Sequence, residues 1–170
     1  MKCTRLLLPV VALAFVAGCG KQPEAAAPTA AASPAASAAP AAPAVLTVEI
    51  TANDAMKFNV TRFEVSPGQE VKLVLVNIGS MPKAAMGHNL VLLKKGVDSK
   101  AFVDAAVSAM ANDYFPAAKA DQVIAHTKLL GPKQTDEITF TAPTEPGEYI
   151  YLCSFPAHYV SGMKGLMVVK

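Results

Sequence analysis

A chain of 170 residues, 52% of them apolar, with 15 basic and 13 acidic side chains and three cysteines, is long enough for one folded domain plus targeting and spacer segments. Its net charge of +2 comes from Lys2 and Arg5, and without them the two signs balance. No basic run is present to hold nucleic acid, and a neutral remainder lets another protein approach without long-range repulsion.

The first segment, residues 1–18, reads as a signal peptide. Lys2 and Arg5 precede an apolar run from Leu6 to Val16, which is shorter than the roughly 20 residues a membrane-spanning helix needs. The run ends in Val16-Ala17-Gly18-Cys19. This resembles the lipobox of bacterial lipoproteins, and the resemblance implies cleavage before Cys19 and acylation of its thiol. Lys21, where an aspartate would signal retention, implies the outer rather than the inner membrane. The alternative is plain secretion with Cys19 left free. With Cys3 lost and Cys19 lipidated, Cys153 stands alone and no intrachain disulfide is available. A lone thiol kept in an oxidising compartment calls for a use.

Residues 19–45 read as a lipidated N-terminus and linker. The stretch EAAAPTAAASPAASAAPAAPAV, from Glu24 to Val45, carries Pro28, Pro34, Pro40 and Pro43 too close together for a helix, and it has no large apolar side chain to pack. Leaning toward polyproline II at about 3.1 Å per residue, Gly20 to Val45 reaches at most roughly 80 Å.

Residues 46–170 are the folded domain. Alternation and β-branched content predict strands at 46–51, around 58–65, and at 71–77, 89–93, 124–129, 137–141, 147–153 and 165–169. Turn signals separate them at Ser66-Pro67-Gly68, Gly79-Ser80, Gly131-Pro132 and Glu145-Pro146-Gly147. Many short strands with regular turns predict a β-sandwich. One segment departs from this pattern: from Ser99 to Met110, Phe102, Ala105, Ala106, Ala109 and Met110 share a helical face, and Ser99 is placed to cap its start. The expected fold is therefore all-β with one inserted α-helix.

The chemistry gathers in YLCSFPAHYVSGMKG, residues 151–165, where Cys153, His158 and Met163 follow the spacing Cys-x4-His-x4-Met. Taken alone, Cys153 reads as a buried structural thiol. Thiolate, imidazole and thioether together suit copper. The second imidazole is His88 in AMGHNLVL, directly after Gly87, whose missing side chain lets the backbone approach a metal. Methionine is a poor zinc ligand. A Cys-His nucleophile needs an orienting third group that the motif lacks, and a binuclear copper site needs a second cysteine. Two histidines, one cysteine and a weak methionine form the blue-copper ligand set.

That order of ligands on a β-sandwich resembles the cupredoxins, and the segments ITANDAMKFN, MPKAAMGHN, VIAHTKLLG and CSFPAHYVSGMKG are similar to azurin segments in azurin order. The resemblance implies a Greek-key sandwich with one bound copper ion. It implies His88, Cys153 and His158 as equatorial ligands, Met163 as a long axial sulfur, and the Gly87 carbonyl as the opposite weak donor. It further implies that Asn89 holds the cysteine loop and that the Phe155 backbone donates to the thiolate, hydrogen bonds that tune potential. The edge of His158 is expected to be exposed, ringed by Met56, Met81, Met86, Phe155 and Ala157 as a partner patch. The family also implies one-electron transfer rather than catalysis, with redox partners such as c-type cytochromes or copper oxidoreductases. A copper-binding or copper-protective surface lipoprotein is the alternative, while an adhesion role leaves no mark in the sequence.

Four features depart from azurin. The His158 to Met163 loop is one residue longer, as in plastocyanins and auracyanins, and the azurin disulfide has no cysteines. Asn77 stands where azurin has a histidine that titrates beside the site, and Ala157 replaces a loop glycine. His126 is expected to be a solvated surface side chain.

Overall fold

The structure, a computed structural model, describes residues 44–170. The expected signal peptide, the lipidated Cys19 and all but the last two residues of the linker lie outside the described residues.

Alternation builds the sandwich. In Glu70–Asn77 (β4), Val71, Leu73 and Leu75 are buried while the residues between them are only partly covered, as a strand with one face on a core requires. β4 lies between Leu46–Asn53 (β1) and Thr135–Thr141 (β7), and β1 also pairs with the short Lys57–Phe58 (β2). The second sheet runs Arg62–Val65 (β3), Lys164–Val169 (β9), Gly147–Leu152 (β8), Val91–Leu93 (β5), Val123–His126 (β6). The result is an all-β Greek-key sandwich, in agreement with the sequence.

Several details differ from the sequence reading. The sheets are mixed, because β1 pairs parallel with β4 and β3 parallel with β9; the chain crosses to the other sheet between partners and returns in the same direction. The strand expected at 58–65 breaks into β2 and β3, which serve different sheets. β6 stops at His126, and the chain beyond it turns away to pair Leu130 with His88. A short helix, Lys83–Met86 (α1), precedes Gly87.

The inserted helix is Ser99–Val107 (α2), and its cap is Asp98 rather than Ser99: the Asp98 carboxylate accepts from the N–H groups of Lys100 and Ala101, leaving the Ser99 hydroxyl free to bond Tyr159 Oη at 2.7 Å. The buried face is Phe102, Val103 and Ala106, whereas Met110 lies beyond the helix and is exposed. This helix explains why all three residues of β5 are buried. Leu92 faces the space between the sheets, while Val91 and Leu93 pack with Leu152 against Phe102 and Val103 on the outer side.

Strand registers define two ends of the sandwich. Asn77 is paired beside Ala52 and Leu152 beside Lys164 at one end, and Val71 beside Leu46 and Gly147 beside Val169 at the other. Across the first end, the Asn77 side-chain amide donates to the Leu130 carbonyl, and the Lys57 ammonium donates to the Ser161 carbonyl.

One residue in from that end, Tyr151 is buried between Phe58 and Phe63, with ring centroids 5.7 Å away in each case, and its hydroxyl donates to the Val60 carbonyl at 2.6 Å. Gly165 makes room for it, since a Cβ there would stand 2.3 Å from the phenol ring. Overpacking of this kind costs about 1–3 kcal/mol, so Gly165→Ala is expected to lower the denaturation midpoint accordingly; an unchanged midpoint would mean that Tyr151 can retract.

Candidate metal centre

Three side chains with metal-binding chemistry converge at the end marked by Leu152 and Lys164. Cys153 follows β8 directly, and alternation turns it inward on the same side as Tyr149 and Tyr151. His88 stands just ahead of β5, held by paired backbone bonds: its N–H donates to the Leu130 carbonyl at 3.1 Å and its carbonyl accepts from the Leu130 N–H at 2.8 Å. His158 lies in the loop 153–163 between β8 and β9. One donor atom from each of the three lies within 4.8 Å of the others. Cys153 Sγ and His158 Nδ1 are 3.3 Å apart, and the two imidazole centroids 4.9 Å.

The loop is itself folded. Cys153 N–H donates to the Met163 carbonyl at 3.1 Å, extending the β8–β9 ladder by one step, while Met163 N–H donates to the His158 carbonyl at 3.0 Å and His158 N–H to that of Phe155 at 3.1 Å. Met163, fully buried, is therefore tied by its backbone to both Cys153 and His158. Asn89 fastens the other side: its side-chain carbonyl accepts from Ser154 N–H at 2.9 Å and its amide donates to Ser154 Oγ at 2.8 Å. The Ser154 hydroxyl donates onward to the Tyr114 carbonyl at 2.7 Å. Backbone N–H groups of Asn89 and Phe155 donate to the Cys153 sulfur. Gly87 is required by packing, since a Cβ there would stand 2.7 Å from the Lys83 carbonyl oxygen and 3.0 Å from Leu129.

Burial governs the electrostatics. Desolvation pushes the Cys153 thiol up to about 12, against which the two backbone N–H groups act only weakly. It lowers His158 to about 4, helped by the neighbouring His88, and it lowers His88 as well, opposed by the carboxylate of Asp54. All three groups are thus uncharged near neutrality. Both ring nitrogens of His88 are buried with no hydrogen-bond partner; the Asn53 carbonyl slightly favours the protonated ring without completing a bond. Such orphans cost about 1–3 kcal/mol each, and a cation placed among the donors would relieve that cost. Two imidazoles and a thiol with no carboxylate form a donor set suited to copper.

The expected partner patch is only partly a surface. Met81 and Ala157 are exposed, Met56 and Met86 are half-buried, and Phe155 is buried, its ring 4.7 Å from that of His158. His158 itself is 1% exposed, so the open edge that the sequence suggested is closed by Phe155 and the loop. Ala157 has φ +68°, in the left-handed region that favours glycine. Asn77 is buried and fully engaged: its side chain bonds Leu130 and Gly79, and its backbone bonds Gln134 and Lys133. His126 is exposed, but it is not simply a solvated side chain, because one face of its ring stacks on Phe115 at 4.0 Å. Sequence reasoning missed Ser154 and Tyr114. A hydroxyl directly after the cysteine was the available signal for Ser154; the Tyr114 contact is made by a carbonyl and left none.

Residues 44–170 match the family described as copper binding proteins, plastocyanin/azurin family. Azurin of Alcaligenes faecalis is 40% identical over 121 residues, covering 69% of this chain and 93% of that protein. Outer membrane protein H.8 of Neisseria meningitidis is 39% identical over 111 residues, covering 64% of this chain and 60% of that protein. Among solved structures, auracyanin A of Chloroflexus aurantiacus, described as a "blue" copper protein, superimposes with a TM-score of 0.65 at 35% identity, over 75% of this chain and all of that one.

The depressed His158 has a consequence for the metal-free protein. An unfolded chain takes up the imidazole proton near 6.5 and the folded one near 4, so stability is complete above pH 6.5 and falls as the pH drops toward 4. At 1.36 kcal/mol per unit the loss is about 3 kcal/mol. Urea unfolding of metal-free protein at pH 7 and pH 4 should show it, and His158→Gln should reduce the difference, the buried His88 carrying a further part of the same sign; equal pH slopes would place the acid sensitivity elsewhere.

Proposed function

Because the chain belongs to the plastocyanin/azurin family of copper-binding proteins and takes a single copper ion, we propose that it is a one-electron carrier of the cell envelope, with His88, Cys153 and His158 as its principal ligands and Met163 sulfur and the Gly87 carbonyl as weak axial donors. The observation that carries this reading is the closed, uncharged cluster of His88, Cys153 and His158, whose donor atoms lie within 4.8 Å of one another in a loop already fixed by its own hydrogen bonds. Bound copper supplies the chemistry, the exchange of one electron between its Cu(II) and Cu(I) states. The chain supplies the rest. The backbone bonds of loop 153–163 and the Asn89–Ser154 clamp hold the ligands at fixed separations, so a change of charge moves little. The N–H groups of Asn89 and Phe155 stabilise negative charge on sulfur, and burial keeps water and substrates out, which suits a carrier that transforms nothing.

The VAGC sequence supports lipid attachment at Cys19, with 19–45 as the tether. Lys21 and the similarity to a protein named outer membrane protein H.8 support an outer-membrane location. The partners on this reading are envelope redox proteins such as c-type cytochromes or copper oxidoreductases. A copper-holding or protective role is favoured by one observation, the near-complete closure over His158.

Copper titration of the full chain should give an intense visible thiolate-to-copper band that Cys153→Ser abolishes and Met163→Leu retains with a shifted potential, together with a reversible one-electron wave at an electrode. Stoichiometric copper without the band or the wave would transfer the assignment to copper holding.

Metal binding should also release one proton. Cys153 is protonated below about 12 while His158 is already neutral above about 4, so apparent affinity should rise about tenfold per pH unit between pH 6 and 8. Calorimetry in buffers of different ionisation enthalpy measures the proton count, and a count of zero would mean that the thiol is not a ligand.

A further inference from the structure

We propose that the metal end of the sandwich docks its redox partner through a cationic rim of Lys57, Lys133 and Lys164, and that the partner presents carboxylates around its own redox group. This rests on the electron-carrier reading above and names the chemistry of the partner.

Over residues 44–170, basic and acidic side chains are equal in number, yet they are not evenly matched in space. Along the flanks and at the far end, most cations meet carboxylates: Arg62 with Glu148 at 2.8 Å, Lys72 with Glu137 at 2.8 Å, Lys95 with Glu145 at 2.6 Å and Lys170 with Glu64 at 2.5 Å, while Lys94 and Lys119 have no such partner among the described residues and stand apart from each other in the chain. At the metal end three cations lack such a partner. Lys57 Nζ donates to the Ser161 carbonyl, within the loop that carries His158 and Met163. Lys133 Nζ donates to the Ile78 carbonyl at 2.9 Å, and Lys164 Nζ, directly after Met163, lies 4.5 Å above the Tyr159 ring. None of the three has a carboxylate partner among the described residues, and all three are exposed.

The acidic groups nearby do not cancel them. Asp113 and Asp136 are taken by Lys83 and Lys128, at 3.1 and 3.8 Å. Asp104, which lines a recess with Ala157, Tyr159 and Val160, is taken by Lys100 at 2.7 Å; Asp98 is turned to the N–H groups that start α2, and Asp54 to the N–H and hydroxyl of Ser80, both at 2.8 Å. Three ammonium groups without a carboxylate partner therefore outnumber the two carboxylates, Asp54 and Asp98, that have no cation partner among the described residues at this end. Their setting is apolar, with Ile78 48%, Met81 40% and Val160 76% exposed. Apolar contacts within a charged rim are the anatomy of a transient protein interface, in which rim charges set the encounter rate and its salt dependence. Carbonyl and aromatic partners hold these ammonium groups in place without neutralising them, so their charge remains available to carboxylates on an incoming protein.

The test uses the copper-loaded full chain, stopped-flow electron exchange, and three probes: a c-type cytochrome with a carboxylate-rich haem edge, one with a lysine-rich haem edge, and an uncharged small oxidant. Exchange with the acidic cytochrome should be the faster of the two at low salt and should fall as salt rises. The combined Lys57→Gln, Lys133→Gln and Lys164→Gln variant should lose about tenfold of that rate and flatten its salt slope, with the visible spectrum and the rate to the uncharged oxidant unchanged. Because Lys57 also braces the loop, a variant with only Lys133→Gln and Lys164→Gln should show a smaller loss in the same direction. Equal rates and salt slopes in chain and variants, or faster exchange with the lysine-rich cytochrome, would overturn the proposal while leaving the carrier reading intact. Failure to reduce even the uncharged oxidant would remove the carrier reading, and this proposal with it.

Discussion

Water is excluded from the space between His88, Cys153 and His158, and that exclusion sets the protonation state of each. An isolated charge in such a place is expensive, so the groups discharge instead: the thiol keeps its proton and the imidazoles lose theirs. The metal-free site is thus neutral at a cost, because His88 leaves two polar atoms unpaired inside the fold. The surrounding core gains nothing from a histidine there. The residue makes physical sense only with a cation present, whose positive charge reverses the preference of the thiol.

Keeping that cavity intact without its ion falls to the loop and its braces. Tyr159 reaches the first residue of α2 through its hydroxyl, the Lys57 ammonium holds the Ser161 carbonyl, and the Asn89, Ser154 and Tyr114 chain holds the cysteine side. Four separate parts of the sequence, at Lys57, Asn89, Ser99 and Tyr114, thereby converge on one hairpin loop. The inserted helix, which covers the outer face of β5 and β8, is one of those parts and is more than packing for the sheet. The middle of the loop, from Tyr159 to Ser161, is where two of these braces attach.

What the sequence revealed divides along a physical line. Period-two alternation and turn residues report local backbone preference, so the strands and the sandwich were legible, and the ligand set was legible because soft donors at fixed spacing are rare. Pairing direction was hidden, since β1 and β4 look the same whichever way they run together. The cap was misassigned because Asp98 and Ser99 are both good capping residues, and only the geometry decides between them. Exposure was least legible of all: Phe155 and His158 lie in a proline-containing loop between strands, yet the Phe155 ring packs against the imidazole and both are buried. Lys57 carried no signal, because its partner is a carbonyl more than a hundred residues away.

Leu46 and Lys170 line the same recess, at the end of the sandwich farthest from the cysteine loop. Segments joined at either point leave by one doorway, and the strands that carry the ligands start or finish at the other. The domain therefore has the layout of a cassette. Its attachments can be lengthened, shortened or exchanged at one pole without disturbing the geometry at the opposite pole, so selection on where the protein is held and selection on what its metal does can proceed independently.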